Sequence, residues 1–229
     1  MKTLVPTLVT AALLSLLLPA CGSSSATAGE TTQPATQPKG ITGPSGLAPS
    51  STQGDHGVAL LAGGCFWCLE TAFDGSDGII EAVSGYAGGA IEHPTYKQVG
   101  YDDTGHAEVV RVVYDRSKWT YEKILSVFWH NIDPFDARGQ FCDKGDQYRS
   151  AVFPMDAEQQ TLAEKSKKEH EEALGKAFVT KIEPPAVFWR AEDYHQDFYK
   201  TNPVRYGSYR LGCGRDRRLK EVWGDDAGH

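Results

Sequence analysis

Cys65 and Cys68 stand three positions apart in the stretch GGCFWCLE, Gly63 to Glu70, with Phe66 and Trp67 between them and a glycine pair directly ahead. That spacing suits three chemistries: a disulfide shuttle, one half of a metal clip, or a single reactive thiol flanked by a pocket. A cysteine at a strand-to-helix turn faces unpaired N–H groups and the positive end of the helix dipole, and both favour the thiolate. Cys65 is expected there, ionised, as a nucleophile. Gly63 and Gly64 allow close backbone approach, and Phe66 and Trp67 offer an apolar wall. A structural zinc site would need a second close pair of ligands, and the remaining cysteines and histidines supply none. A thioredoxin-like dithiol oxidoreductase stays open as the rival that CxxC after a strand suggests.

The elements that position these residues follow from hydrophobic periodicity. Val58 to Ala62 is an apolar run that ends at the glycine pair, as a buried strand does, and a helix from about Cys65 to Phe73 follows. Ile79 to Tyr86 and Ala107 to Asp115 read as strands. Thr120 caps an amphipathic helix whose stripe is Tyr121, Ile124, Leu125, Phe128 and Trp129. After a loop from Phe135 to Tyr148, Ser150 to Phe153 is another strand. Asp156 and Gln159 open a charged helix that runs to Gly175, and Phe178 to Ile182 suits one more strand. The order strand, helix, strand, strand, helix, strand predicts an α+β fold: a split βαβ, ferredoxin-like two-layer sandwich with a mixed or antiparallel sheet and helices packed on it.

The first 20 residues, one lysine and then an apolar run closed by small residues, read as a removable export signal. Leu18-Pro19-Ala20-Cys21 resembles a bacterial lipobox, so Cys21 is expected to carry lipid and to hold the protein in the cell envelope. Gly22, with no Asp there, favours the outer membrane, facing the periplasm. Residues 21–54 are Ser, Thr, Gly, Pro, Gln and Ala with few large apolar side chains, and predict a flexible tether. Residues 55–229 are enough for one domain with a sizeable core. A net charge of -7 argues against a nucleic-acid binder, and the basic cluster from Arg215 to Lys220 reads as a solvated tail. A single lipid-anchored chain is expected to act as a monomer.

Beyond GGCFWCLE, the chain carries AVSGYAGG at Ala82 to Gly89, HPTYKQV at His93 to Val99, TGHAEVVRVVYD at Thr104 to Asp115, DKGDQYRS at Asp143 to Ser150 and EDYHQDFY at Glu192 to Tyr199. In this order the blocks resemble the peptide methionine sulfoxide reductase A family over nearly the whole domain. The resemblance implies thiol-dependent reduction of one sulfoxide epimer of methionine, with no cofactor and with electrons from thioredoxin or a thioredoxin-like donor. It implies Cys65 as nucleophile and Glu108 as proton donor. Tyr96 and Tyr148 would donate to the sulfoxide oxygen, Asp143 would support them, and Phe66 and Trp67 would cage the substrate methyl. His195 is taken as an orienting neighbour and Glu70 as structural.

Sulfoxide reduction fits these residue types, because it needs a soft nucleophile for sulfur and an acid for the departing oxygen. A carboxyl that donates near neutral pH needs the raised pKa that an apolar pocket gives. Attack leaves a sulfenic acid on Cys65, and a second thiol condenses with it. Cys213, between two glycines, is ranked first as that thiol, ahead of Cys68, one helical turn from Cys65, and Cys142, beside Asp143. Cys68 and Phe141-Cys142 stand where many family members have glycine or Gly-Asn, so recycling is where this chain is expected to differ.

Overall fold

In the computed structural model, which describes residues 46–228, the central element is β2 (His56–Gly63), whose inner seven residues are buried on both faces. This is why the run from Val58 to Ala62 is apolar throughout rather than alternating. Ahead of it lies the two-residue β1 (Thr52–Gln53), and behind it α1 (Phe66–Phe73), β3 (Ile79–Ala87), α2 (Tyr96–Tyr101), β4 (Ala107–Tyr114) and α3 (Tyr121–His130). Then come the short hairpin β5 (Gly139–Gln140) and β6 (Asp143–Lys144), a 3-10 turn at Asp146–Tyr148, β7 (Ser150–Val152) and α4 (Ala157–Leu174). The chain finishes with β8 (Lys181–Ile182), β9 (Trp189–Arg190), α5 (Phe198–Thr201), α6 (Pro203–Cys213) and α7 (Arg215–Trp223).

The sheet order is β8-β7-β2-β4-β3-β9, with β1 on β2. β4 lies antiparallel between β2 and β3, β7 is antiparallel to β2, and β8 joins β7 in parallel. The four central strands therefore make the split βαβ order expected from the sequence, in a mixed sheet. One face packs under α1 and α3 through Ala59, Leu61, Leu69, Val110, Val112, Ile124, Leu125, Phe128 and Trp129. The other carries Leu60, Ala62, Val109, Phe153 and Phe188. Burial of each large side chain of this kind stabilises the fold by about 1.5–3 kcal/mol.

Local signals hold the helices where the periodicity puts them. Thr120 accepts from Lys123 N at α3, and Asp156 accepts from Gln159 N at 2.7 Å while Gly175 closes α4 in the left-handed region.

Two expectations are corrected. The tether does not extend to residue 54: Leu47 exchanges backbone hydrogen bonds with Phe188, and β1 pairs with β2, because Leu47 has an apolar face to cover. The export signal, Cys21 and the start of the tether lie outside the described residues. Nor is the cluster at Arg215 to Lys220 a solvated tail. Arg215, Leu219 and Trp223, one turn apart on α7, are buried against the end of α3. Arg215 Nη2 donates to Asn131 O at 2.5 Å and Trp223 Nε1 to Ile132 O at 2.8 Å. Arg215 and the Trp223 indole thus satisfy carbonyls that the end of α3 leaves unpaired, while Arg217 and Lys220 stay exposed and pair with Glu221 and Asp225.

Candidate active site

Cys65 is the residue before the first turn of α1, at the end of the strand-to-helix bend. The bend needs glycine at Gly64, whose φ is +79°, and a β-carbon there would run into the Gln140 side chain. Gln140 is fully buried and bonds Asp133 through both its amide atoms, so it cannot step aside. Gly64→Ala is accordingly expected to lower stability by about 1–3 kcal/mol. Denaturant unfolding of the purified variant checks this, and an unchanged midpoint would contradict the role given to the bend.

Glu108 lies on β4 with the same alternation as Val110 and Val112, so its side chain faces the helices. It is buried, and its Oε2 accepts the Phe66 N–H at 3.0 Å. The free amide of the α1 start is thus used by the acid, and the thiol gains nothing from it. Burial pushes the Glu108 carboxyl up to about 8, against the pull of that hydrogen bond. At neutral pH it holds its proton.

The expectation of an ionised Cys65 in the resting protein is corrected. Cys65 is 5% exposed, and burial, the adjoining Cys68 thiol and Glu108 together raise its pKa well above the ordinary thiol range. Cys68, also buried, hydrogen-bonds Cys65; this bond and the guanidinium groups of Arg215 and Arg210 bring it down to about 6 despite its burial. Of the two thiols, Cys68 is therefore the more acidic and Cys65 the one that keeps its proton. Helix-start electrostatics lose to desolvation at Cys65 because its sulfur is sealed in.

Around the pair lies an aromatic shell. The Phe66 ring packs 6.0 Å from Tyr86, 6.5 Å from Tyr96 and 4.9 Å from His195. Trp67 stacks on Phe198 at 3.8 Å and gives its indole N–H to His195 Nδ1 at 3.2 Å. Burial takes His195 down to about 4, so it stays neutral and accepts that bond. Tyr96 opens α2, where Thr95 and Gln98 form a reciprocal cap, and its phenol lies close to that of Tyr148. Both phenols are raised by burial and by Glu108, Tyr96 to about 12, so both remain donors. Asp143, on β6, is raised by burial and accepts from Tyr209.

Cys65, Phe66, Trp67, Tyr96, Glu108, Asp143, Tyr148 and His195 are therefore drawn from five separate stretches of chain into one shell. Of the other cysteines, Cys68 touches Cys65, whereas Cys213 is bridged to Cys142 with Cα atoms 4.9 Å apart. Glu70 bonds Ser84 Oγ and Asp197 N, tying α1 to β3 and to the chain before α5.

Two residues of the shell were not legible beforehand. Glu192 takes the Tyr96 N–H at 2.8 Å and the Tyr86 hydroxyl at 2.9 Å, and Tyr209 comes from α6 to stand edge-on to Trp67 and donate to Asp143. Glu192 sits in the quoted block EDYHQDFY, but nothing in Tyr209's surroundings marks it before α6 is seen to fold back.

The chain is similar to known proteins throughout this region. The family model described as "Peptide methionine sulfoxide reductase" matches residues 57–227. The protein named peptide methionine sulfoxide reductase MsrA 2 of Rhizobium meliloti is 47% identical over 169 residues, which is 74% of this chain and 84% of that one. Its counterpart in Caulobacter vibrioides is 45% identical over 186 residues, 81% of this chain and 92% of the relative. Among solved structures, Mxr1 from Saccharomyces cerevisiae in reduced form overlays with a TM-score of 0.63 at 31% identity, covering 67% of this chain and 89% of that one. Methionine sulfoxide reductase A of Corynebacterium diphtheriae overlays at 0.59 and 26%, covering 69% and 83%. With a buried cysteine at a helix start, a protonated carboxyl and an aromatic shell drawn together, and with these matches along the domain, the chain belongs to the peptide methionine sulfoxide reductase family.

Proposed function

We propose that the chain returns methionine sulfoxide to methionine in peptides and proteins, with Cys65 as nucleophile and Glu108 as acid. The carrying observation is the bond from Phe66 N–H to Glu108, which holds a buried, protonated carboxyl against the residue that follows Cys65. Cys65 sulfur attacks the sulfoxide sulfur while Glu108 protonates the oxygen. The protonated oxygen then moves from the substrate sulfur to Cys65 as the transient S–S bond breaks with its electron pair returning to the methionine sulfur, and the Cys65 thiol proton replaces the one Glu108 gave up. The products are methionine and a sulfenic acid on Cys65. Tyr96 and Tyr148 donate to the oxygen, Asp143 supports the network, and Phe66 and Trp67 enclose the substrate methyl. A neutral sulfoxide, which brings no charge of its own, suits a site with so little solvent.

Cys68 is the first resolving thiol in this reading, since it already bonds Cys65 and is the more ionised of the two. Its sulfur displaces hydroxide from the sulfenic acid, water leaves, and a Cys65–Cys68 disulfide forms. Exchange with the dithiol form of Cys142 and Cys213 returns Cys65 and Cys68 to thiols. The Cys142–Cys213 bridge, with Cys142 exposed, is then the pair that an external dithiol of the thioredoxin type reduces. Residues 1–21 support a lipid anchor at Cys21 that holds a monomer in the bacterial envelope, at the outer membrane and facing the periplasm, where oxidised proteins are its substrates.

Cys68→Ser tests the recycling order. With a thioredoxin donor it is expected to release one methionine per chain in a burst and then to turn over at least about tenfold more slowly, because the sulfenic acid has lost its nearest partner. Rapid-quench measurement of methionine formed checks this. Steady turnover at the wild-type rate would transfer the resolving role to Cys213.

A further inference from the structure

We infer that Cys142, Asp143 and Cys213 form a zinc site once their bridge is reduced. Two thiolates and a carboxylate, carried on the β5–β6 hairpin and the end of α6, would hold the ion and leave its fourth position to water.

No local spacing announces this site, because its two sulfurs are 71 positions apart and only the fold brings them together. Among the described residues, these three side chains are the one group of Cys, His, Asp and Glu whose ligand atoms all lie within 4.8 Å of one another. Cys142 Sγ is 3.7 Å from Asp143 Oδ1. A tetrahedral zinc ion, with Zn–S of about 2.3 Å and Zn–O of about 2.0 Å, sets sulfur and oxygen about 3.5 Å apart, so that edge of the coordination shell is already in place. Asp143 Oδ2 accepts the Tyr209 hydroxyl and leaves Oδ1 to the sulfur, the kind of outer contact that orients a ligating carboxylate. Cys142 is exposed and Cys213 half-buried, so an ion can enter from solvent.

Opening the bridge does not scatter these ligands, because contacts that need no disulfide clamp the hairpin to the corner between α6 and α7. The Arg215 guanidinium, just past Cys213, lies 4.3 Å over the ring of Phe141, the residue before Cys142. Arg215 is itself buried and tied to Asn131 O. Arg218 Nε bonds Asp133 Oδ2 at 2.7 Å, and the Asp133 backbone holds the Gln140 amide of β5. Tyr209 on Asp143 is a further clamp. Charge suits the ion as well: two thiolates and a carboxylate outweigh Zn²⁺ by one unit, and Arg215, stacked on the adjoining Phe141, offsets it. Two soft sulfurs with one hard oxygen fit borderline zinc better than magnesium or calcium, which favour oxygen alone.

A dithiol donor gives two electrons and two protons to the bridge and becomes a disulfide. Zn²⁺ then displaces the two thiol protons to solvent and is neither oxidised nor reduced. While the ion is held, neither sulfur can exchange with Cys65 and Cys68, so a zinc-loaded chain cannot recycle. That consequence rests on the recycling proposed above; the site itself does not.

The test is zinc binding by the full chain, reduced with tris(2-carboxyethyl)phosphine and freed of it without air, read by competition with a chromogenic chelator and by iodoacetamide mapping. The reduced chain is expected to hold one Zn²⁺ against the chelator and the bridged chain none, since disulfide sulfurs are not thiolates. Zinc should slow alkylation of Cys142 and Cys213 by at least about tenfold and leave Cys65 and Cys68 unchanged. Outer contacts are worth about 10- to 100-fold in affinity, so Tyr209→Phe should weaken binding within that range and Cys213→Ser by more. Equal binding with the bridge closed and open, protection of Cys65 or Cys68 instead, or full affinity in Cys213→Ser would overturn the site. The mapping on the wild-type chain decides the matter even where a variant fails to fold. Neither result touches the assignment of Cys65, which methionine sulfoxide turnover by Cys65→Ser decides separately.

Discussion

Glu108→Gln is expected to lower kcat for a methionine sulfoxide peptide by about a hundred- to ten-thousand-fold, the range that loss of a positioned general acid produces. Glutamine keeps the shape and can still accept the Phe66 N–H, so KM should change little and the fold should survive. Burial holds the wild-type carboxyl near 8 against about 4.5 for an ordinary glutamate. The wild-type rate should therefore fall as pH rises through about 8, where the acid gives up its proton. Stability supplies an independent check with a definite sign. A folded pKa above the unfolded one means stability that is whole below the unfolded value and is lost as pH climbs toward the folded one. Between about 4.5 and about 8, wild type should thus lose stability relative to Glu108→Gln. Parallel melting curves over that range would show that the carboxyl is not buried as described.

Cys65→Ser is expected to reduce no sulfoxide above the uncatalysed background, with any donor. A serine hydroxyl is neither soft nor ionisable here, and the neighbouring Cys68 thiolate, at about 6, is too weak a base to deprotonate it. The substitution also removes the Cys65 partner that helps ionise Cys68, so the Cys68 thiol should titrate above about 6 in the variant. The melting transition should remain cooperative, because the swap is nearly isosteric and costs on the order of 1–3 kcal/mol for one buried hydroxyl. Residual turnover comparable to wild type would remove Cys65 from the chemistry.

How much of this was legible in the chain depended on whether a feature is local. The glycine pair before Cys65, the caps at Thr120 and Asp156 and the stripe on α3 are set by neighbours within a turn or two, and each stands where the sequence puts it. The strand order followed from element order, because a split βαβ has few topologies available. Glu108 was legible in part: its parity with Val110 and Val112 turns it inward, but which amide it meets depends on α1. The ionisation of Cys65 was misjudged, since desolvation is set by what packs over the sulfur from far along the chain. Tyr209, 144 positions later, packs against Trp67 in the same shell. Arg215 was misjudged for the same reason. Within the basic run Arg215 looks as solvated as its neighbours until the Asn131 carbonyl it satisfies is folded against it. Cys142 and Cys213 were each legible as redox candidates, yet their pairing depends on α6 returning over the hairpin, which no local signal encodes.

The most direct measurement is the fate of the oxygen. Fully reduced Cys68→Ser is given one equivalent of methionine sulfoxide labelled with heavy oxygen, quenched within one turnover, and mapped by mass spectrometry after trapping of sulfenic acids. The labelled oxygen should be found on Cys65 alone, in an amount equal to the methionine released, and should be absent there when Glu108 is also replaced by Gln. Label released to water with Cys65 unmodified, or carried by Cys142 or Cys213, would contradict it.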